Sequence, residues 1–187
     1  MPFGLDNKHF EPLLANNLAD GPIKFVLLNK RDDHQDAWGD DHSVQVAVGA
    51  SGGPDSLSRW AQETLTGFNG FVEYLHTKIL LIDPLGKMPT TISGSANFSE
   101  ASTSANDENM LVIVGDRDVA DSYFTEYARI FQHFYARWWA KQLAHSGADD
   151  SHSFLTEDDS WQTPYFNVHS PKSRLRQLYS ARLAGNP

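Results

Sequence analysis

The stretch from Tyr74 to Asn109 limits what this chain can fold into more than any other part of the sequence. It reads YLHTKILLIDPLGKMPTTISGSANFSEASTSANDEN. His76 and Lys78 stand two residues apart in an apolar run, so on a β-strand their side chains lie on one face. Proline and glycine residues after Asp83 predict a hairpin loop. The pattern therefore places an imidazole and an ammonium side by side on a strand that turns back on itself.

A small polar cluster of Gly94, Ser95 and Asn97 follows that loop. Imidazole is a nucleophile near neutral pH, and lysine and amide groups supply charge and hydrogen-bond donors to an anion. A glycine lets the backbone approach a ligand closely. Each feature alone is more often ordinary strand or turn structure, but their combination favours a site for a reacting phosphate.

Together these residues resemble the HKD motif of the phospholipase D superfamily, and the run Asn106–Asn109 fits the same pattern. The resemblance implies a phosphohistidine mechanism that uses no metal or other cofactor. It implies catalytic roles for His76, Lys78, Asp83 and Glu108, and phosphate binding by Lys78, Ser95 and Asn97. Glu108 is the expected acceptor for a ring N–H of His76. One departure is the ten-residue separation of Asp83 from Gly94, which exceeds the family's common spacing; we interpret it as a longer hairpin loop.

The remaining chain alternates short apolar runs with helical patterns. Strands are predicted at 23–28, 44–48 and 110–114, the last as a central strand buried on both faces. Helices are predicted at 9–18, 54–65 and 119–143, the last with a largely aromatic core face. This order predicts an α/β class. The resemblance implies a phospholipase D-like α/β/α sandwich with a mixed, mostly buried β-sheet.

We expect a catalytic half-domain with one HKD motif over residues 1–144 and a polar linker and C-terminal tail over 145–187. The tail begins acidic and ends basic, with Lys172, Arg174, Arg176 and Arg182. Its cations could meet phosphate groups or fold back onto the domain's acidic loops. Trp161, Tyr165 and Phe166 argue against a wholly disordered tail.

The amino-acid composition excludes several kinds of structural site and makes some kinds of substrate less favoured. The 187 residues carry a formal charge of −9 and no cysteine, so disulfides and thiolate metal sites are ruled out, and nucleic acid is not favoured as a substrate. No apolar run is long enough to span a membrane, and the first residues lack the form of a signal peptide. We expect a soluble chain of unspecified location. The acidic and histidine-rich segment between Asp32 and His42 lacks a defined metal-ligand spacing and is interpreted as a solvated loop.

The expected function is hydrolysis or transfer of a phosphodiester, with a phospholipid favoured by the acidic balance and the aromatic-rich helix. The alternatives are an HKD-family endonuclease acting as a homodimer and a non-catalytic phosphate-binding half. None of the other seven histidines lies in a second such motif. We therefore expect a second HKD motif from a homodimer mate or from a missing N-terminal half. The start Pro2-Phe3-Gly4 favours the missing half.

Overall fold

The computed structural model describes residues 21–29, 44–49, 75–145 and 157–183, with side chains described as far as residue 138 in the long helix and residue 181 at the C-terminal end. The helices predicted at 9–18 and 54–65 lie outside these ranges, as does the segment between Asp32 and His42. The described part contains five strands and four α-helices. It is a mixed α/β fold, as the sequence predicts.

Two short strands, β1 (Lys24–Leu28) and β2 (Val44–Val48), pair in parallel, with Lys24 opposite Val44 and Leu28 opposite Val48. Both coincide closely with predicted strands. Their β-branched and leucine side chains alternate between the two faces of the pair. Val26, Leu28 and Val44 form one buried cluster with Phe98, while Leu27 and Ala47 point into a second. Buried on both faces, this pair anchors the interior.

Three antiparallel strands form a second sheet in the order β3 (Ile79–Ile82), β4 (Thr90–Gly94) and β5 (Met110–Val114). Ile79 lies opposite Ser93, and Ser93 lies opposite Leu111. The loop of residues 83–89 joins β3 to β4. This confirms that the extra residues after Asp83 lengthen a hairpin. Leu80 packs against the first buried cluster, which connects this sheet to the interior.

β5 corrects a prediction from the sequence. It was expected to be a central strand buried on both faces, but it is an edge strand of the described sheet. Leu111 is 59% exposed and Val112 is 52% exposed, although their side chains point to opposite faces. A continuous apolar run indicates that a strand packs against apolar neighbours, but it does not show which element supplies them. No described element covers β5. This strand is therefore less completely buried than predicted.

The long helix α2 (Arg117–His145) follows Gly115, whose φ of +79° ends β5 in the left-handed region that glycine favours. The Asp116 carboxylate accepts a hydrogen bond from the backbone N–H of Val119 at 3.0 Å, which caps the first turn. The helix packs across β2, β3 and β4. It places Phe131 and Phe134 in the second buried cluster, so the predicted aromatic core face is confirmed.

Tyr127 fixes the position of α2 on the strands, because its hydroxyl donates to the Phe25 carbonyl at 2.9 Å. Burial raises the pKa of Tyr127, so the phenol stays protonated and remains a donor. The Phe131 ring meets Phe25 edge-on at 5.2 Å and stacks with Tyr135 at 5.4 Å. These contacts join the helix to the parallel pair in a single aromatic core.

Beyond residue 156 the chain forms a 3₁₀ turn (Asp159–Gln162), the short helix α3 (Thr163–Phe166) and helix α4 (Pro171–Leu183). Part of the predicted tail is therefore helical. Phe124 of α2 lies 6.1 Å from the Tyr179 ring, Arg174 donates a hydrogen bond to the Gly21 carbonyl, and Ser173 is fully buried. These contacts hold α4 against the domain.

Candidate active site

The segment of residues 75–78 carries the two central groups and lies immediately before β3. Leu75 is buried, and its backbone N–H donates to the Asn29 side-chain oxygen at 2.9 Å. His76 and Thr77 are exposed and Lys78 is buried again. The sequence placed His76 within the strand, but the strand begins three residues later. The hydrogen bond that the Asn29 side chain accepts, at the carboxyl end of β1, fixes the backbone from which the His76 imidazole projects.

Lys78 is only 8% exposed, and its Nζ donates to the His76 carbonyl at 2.9 Å. Burial lowers the pKa of Lys78, and the nearby negative charge of Glu108 opposes that shift. A lysine so deeply buried needs an anionic neighbour to keep its charge. The arrangement therefore holds a cation against the His76 backbone, with the negative charge of Glu108 close enough to favour its charged form.

Ser95 joins the ends of β4 and β5. Its hydroxyl donates to Glu108 Oε2 at 2.5 Å and accepts from the Asn109 backbone N–H at 3.0 Å. Its own N–H donates to the Asn109 carbonyl at 3.1 Å. A hydroxyl has a single proton, which Glu108 takes here. Binding of a substrate phosphate by Ser95 remains a prediction that requires the hydroxyl to turn.

The same contacts favour the ionised form of Glu108. The hydrogen bond from Ser95 is the main cause that lowers the pKa of Glu108, and weaker bonds from Asn106 and Ser102 and the charge of Lys78 act in the same direction. The structure therefore brings Glu108 together with Ser95 and Lys78. Its predicted role as the acceptor for the His76 ring remains a prediction.

Gly94 allows two strands to approach closely. A Cβ at this position would collide with the Asn109 carbonyl oxygen and would lie 3.0 Å from the Met110 Cα. The sequence attributed this glycine to close contact with a ligand, whereas the structure shows close contact with β5. Glycine is needed here because the contact that positions Glu108 next to Ser95 leaves no room for a side chain.

Asn97 is the last residue of the polar cluster and precedes the short helix α1 (Glu100–Ser104), which Ser99 caps by accepting from the Ser102 N–H at 3.4 Å. The Asn97 Oδ1 is buried, and no described residue donates to it. Rotation of the amide places its NH₂ group at the same position. A buried polar atom without a partner is uncommon, and a binding site that a ligand completes is one explanation for it.

Asp83 lies at the opposite end of β3 from Lys78. Its φ is +47°, a left-handed conformation that Asp adopts more readily than most residues. The carboxylate folds over Gly86, where a Cβ would collide with it, and the Asp83 carbonyl accepts from the Gly86 N–H at 2.9 Å. The structure thus gives Asp83 a place in the hairpin turn and does not bring it to the other site residues. Its catalytic role remains a prediction.

The sequence did not single out Asn29 or Asn109 as individual site residues. Asn29 lies 46 positions from the Leu75 N–H that it binds, so only its place directly after an apolar strand pointed to it. Among the described residues, no group of three or more His, Cys, Asp or Glu side chains is placed to hold a metal ion. Within the same ranges, no helix is both long and apolar enough to cross a membrane.

An exposed histidine, a buried lysine bonded to its carbonyl, a carboxylate and an amide are groups of the kind that sites for anionic groups use. The family model described as the PLD-like domain of cardiolipin synthase matches residues 28–135, which is more than half of the chain. The chain belongs to this phospholipase D-like family, within the phospholipase D superfamily of phosphodiesterases. A search of curated proteins found no match.

Proposed function

We propose that the chain catalyses metal-independent hydrolysis or transfer of a phosphodiester, with a phospholipid as the favoured substrate, through a phosphohistidine on His76. The observation that carries the proposal is the pairing of an exposed His76 with a Lys78 that is only 8% exposed and bonded to the His76 carbonyl. A nucleophile must reach the substrate, whereas the cation that stabilises charge acts most strongly out of water.

In the first step, an imidazole nitrogen of His76 attacks phosphorus, the P–N bond forms and the P–O bond to the leaving alcohol breaks. That oxygen leaves with a proton from an acid on the opposite side, because an alkoxide is a poor leaving group near neutral pH. Water or a second alcohol then attacks phosphorus and returns its proton to the acid. The P–N bond breaks and free His76 is restored.

Lys78 and Asn97 are proposed to hold the phosphoryl oxygens during both steps. Burial lowers the pKa of Lys78, whereas the negative charge of Glu108 acts to raise it and so favours the charged ammonium. Ser95 positions Glu108 through their 2.5 Å bond. Chemistry of this kind requires no metal, so treatment with a chelator should leave the rate unchanged. If EDTA abolished activity and a divalent ion restored it, the protein would instead be a metallo-phosphodiesterase.

The proton donor is proposed to come from a second HKD motif, supplied by a second copy of the chain or by a separate lobe. The site lies next to the start of β5, where Met110 pairs with Gly94 two residues after Glu108. The apolar side chains of this strand are largely exposed among the described residues. An apolar strand that begins at the site offers a surface on which a second motif can pack.

Acid quenching after brief exposure to substrate tests the covalent step. The wild-type protein should carry phosphorus on His76, located by peptide mass spectrometry under conditions that preserve phosphohistidine. The variants His76→Ala and His76→Asn should lose turnover by roughly 10⁵-fold or more, as with other covalent nucleophiles, and should keep the circular-dichroism spectrum of the wild type. Full activity of His76→Ala would remove the mechanism.

A substrate panel tests the choice of phospholipid. Phospholipid, nucleic-acid and aryl phosphodiesters should be compared at equal concentrations, with the mass of the active species measured alongside. The proposal expects the phospholipid to react fastest. Faster turnover of nucleic acid would keep the mechanism and replace the substrate.

A further inference from the structure

The C-terminal helical segment carries a cluster of aromatic and cationic side chains that the proposed chemistry does not use. Trp161 and Tyr165 meet edge to face at 6.2 Å. The Lys172 ammonium lies 5.3 Å from the centre of the Tyr165 ring, and the Arg176 guanidinium lies 4.8 Å from the centre of the Phe166 ring. These five residues form one contiguous surface, which we call the aromatic–cationic cluster.

The rings of this cluster face solvent, with Trp161 57% exposed and Phe166 64% exposed. Val168, two residues after Phe166, is also 64% exposed. Scattered exposed apolar residues are ordinary, but a contiguous group held in place by cations marks an interaction surface. The cluster is also held in a defined geometry, because Arg176 Nε donates to the Tyr165 carbonyl at 2.9 Å.

Local charge is opposite to that of the whole chain. The protein carries a formal charge of −9, yet no Asp or Glu occurs after Asp159, where Lys172, Arg174, Arg176 and Arg182 follow. Glu157, Asp158 and Asp159 lie just before the cluster. A partner must therefore attract the cluster by more than charge, because these carboxylates oppose a polyanion that approaches from their side.

From these observations we propose that the aromatic–cationic cluster docks the protein onto the surface of an anionic lipid bilayer. Trp and Phe side chains insert at the boundary between headgroups and acyl chains, while lysine and arginine extend their charges to the lipid phosphates. A nucleic acid is the weaker fit, because its affinity rests mainly on phosphate charge and an aliphatic residue such as Val168 adds no base stacking.

Vesicle sedimentation of the full chain tests this docking. Phosphatidylcholine vesicles that contain phosphatidylglycerol should bind the protein, and pure phosphatidylcholine vesicles should bind it less. The double variant Trp161→Ala/Phe166→Ala should bind about tenfold more weakly or worse, because two buried rings are lost. Lys172→Gln/Arg176→Gln should weaken binding about fivefold or more and flatten its salt dependence.

Matched control variants test whether vesicle binding depends on this cluster, as opposed to non-specific adsorption or the candidate active site. Lys87→Gln/Met88→Ala removes one cation and one apolar side chain that is 67% exposed, on the loop between β3 and β4, and should bind like the wild type. Lys78→Ala, which alters the candidate active site, should also keep binding, so docking is tested independently of the proposed reaction. Trp161→Phe should retain most of the affinity and thereby excludes misfolding as the cause.

Any of three contrary results would overturn the proposal, and two of them would identify another occupant. No binding to the anionic vesicles, or equal binding by Trp161→Ala/Phe166→Ala, would remove the membrane as partner. Tighter, cluster-dependent binding of a single-stranded oligonucleotide would assign the surface to nucleic acid. Self-association without vesicles that Trp161→Ala/Phe166→Ala abolishes, together with no vesicle binding, would assign it to a second copy.

Discussion

Strands β1 and β5 are both five-residue, largely apolar segments, yet they occupy opposite environments. Leu28 of β1 is 0% exposed, and the strand is covered by β2, by α2 and by Phe98. Leu111 of β5 is 59% exposed at the edge of its sheet. The difference is not in residue type. It lies in whether the described chain supplies the neighbours, and the strand left uncovered is the one that begins at the candidate active site.

The two strands contribute differently to the protein: β1 to its stability and β5 to the surroundings of the candidate active site. β1 and its neighbours hold the fold together, and Asn29 at the end of β1 also fixes the backbone beside His76. The segment that leads into β5 contributes one side of the site through Glu108 and Asn109, and β5 itself leaves an apolar surface next to it. Stability and chemistry should therefore respond to substitutions in different places.

The largest expected contrast is between the same substitution in the two strands. Leu28→Ala should lower the free energy of unfolding toward the upper end of about 2–5 kcal/mol, because it opens a cavity in a fully buried cluster. Leu111→Ala should change it by no more than about 0.5 kcal/mol in the isolated chain. Urea unfolding of both variants measures the difference. Equal losses would show that β5 is as well covered as β1.

A smaller effect is expected on the rate at the site between these strands. Lys78→Ala and Asn97→Ala should each lower the rate of the chemical step by about 10²–10³-fold, and should lower substrate binding less, by analogy with lost oxyanion donors. Single-turnover kinetics separate the two quantities. Lys87→Ala, an exposed lysine in the hairpin loop, serves as the matched control and should retain full activity. A change confined to substrate affinity would contradict a role in the transition state.

The smallest expected effect is a change in the pKa of one side chain, the Glu108 carboxyl group. Because the bond from Ser95 is the main cause that lowers the pKa of Glu108, Ser95→Ala should raise that pKa toward its ordinary value. Carboxyl ¹³C chemical shifts measured against pH follow the change. Ser104→Ala, whose hydroxyl bonds the Glu100 carbonyl, is the control and should leave it unaltered. An unmoved titration in Ser95→Ala would assign the low pKa to another neighbour.

The sign of the pH dependence follows from the same contacts. A carboxylate whose pKa is lowered by folding stabilises the folded state above its unfolded pKa, and this contribution is lost as the pH falls through the folded value. Ser95→Ala should therefore make unfolding less sensitive to acid over that window. The matching measurement is the midpoint of urea unfolding at several acidic pH values.

Periodicity predicted β1, β2 and the core face of α2 well, because the neighbours that bury them lie within the described chain. The environment of β5 could not be predicted, because an apolar pentapeptide does not reveal which side of a sheet will remain uncovered. At the site, spacing pointed to His76, Lys78, Ser95 and Glu108. It did not point to the bond from Ser95 to Glu108, since that depends on the register of β4 against β5.

The role of Asn29 was hidden for a similar reason. The hydrogen bond from the Leu75 N–H joins two segments 46 residues apart, and no local pattern encodes such a contact. Asp83 shows the opposite case. Its place in the motif assigns it to the site, and it lies in the hairpin turn at the far end of β3, so its catalytic role remains a prediction.

We propose that the His76 site needs a second HKD motif to complete it. Sedimentation velocity and activity should be measured on the same samples over a range of protein concentration, with Val112→Asp as a variant that places a charge on the uncovered face of β5. We predict that turnover appears only in species with two motifs: it rises with the dimer fraction and falls in Val112→Asp, or it appears only after a lobe with its own motif is added. Full activity from a strictly monomeric species would show that the site does not need a second HKD motif.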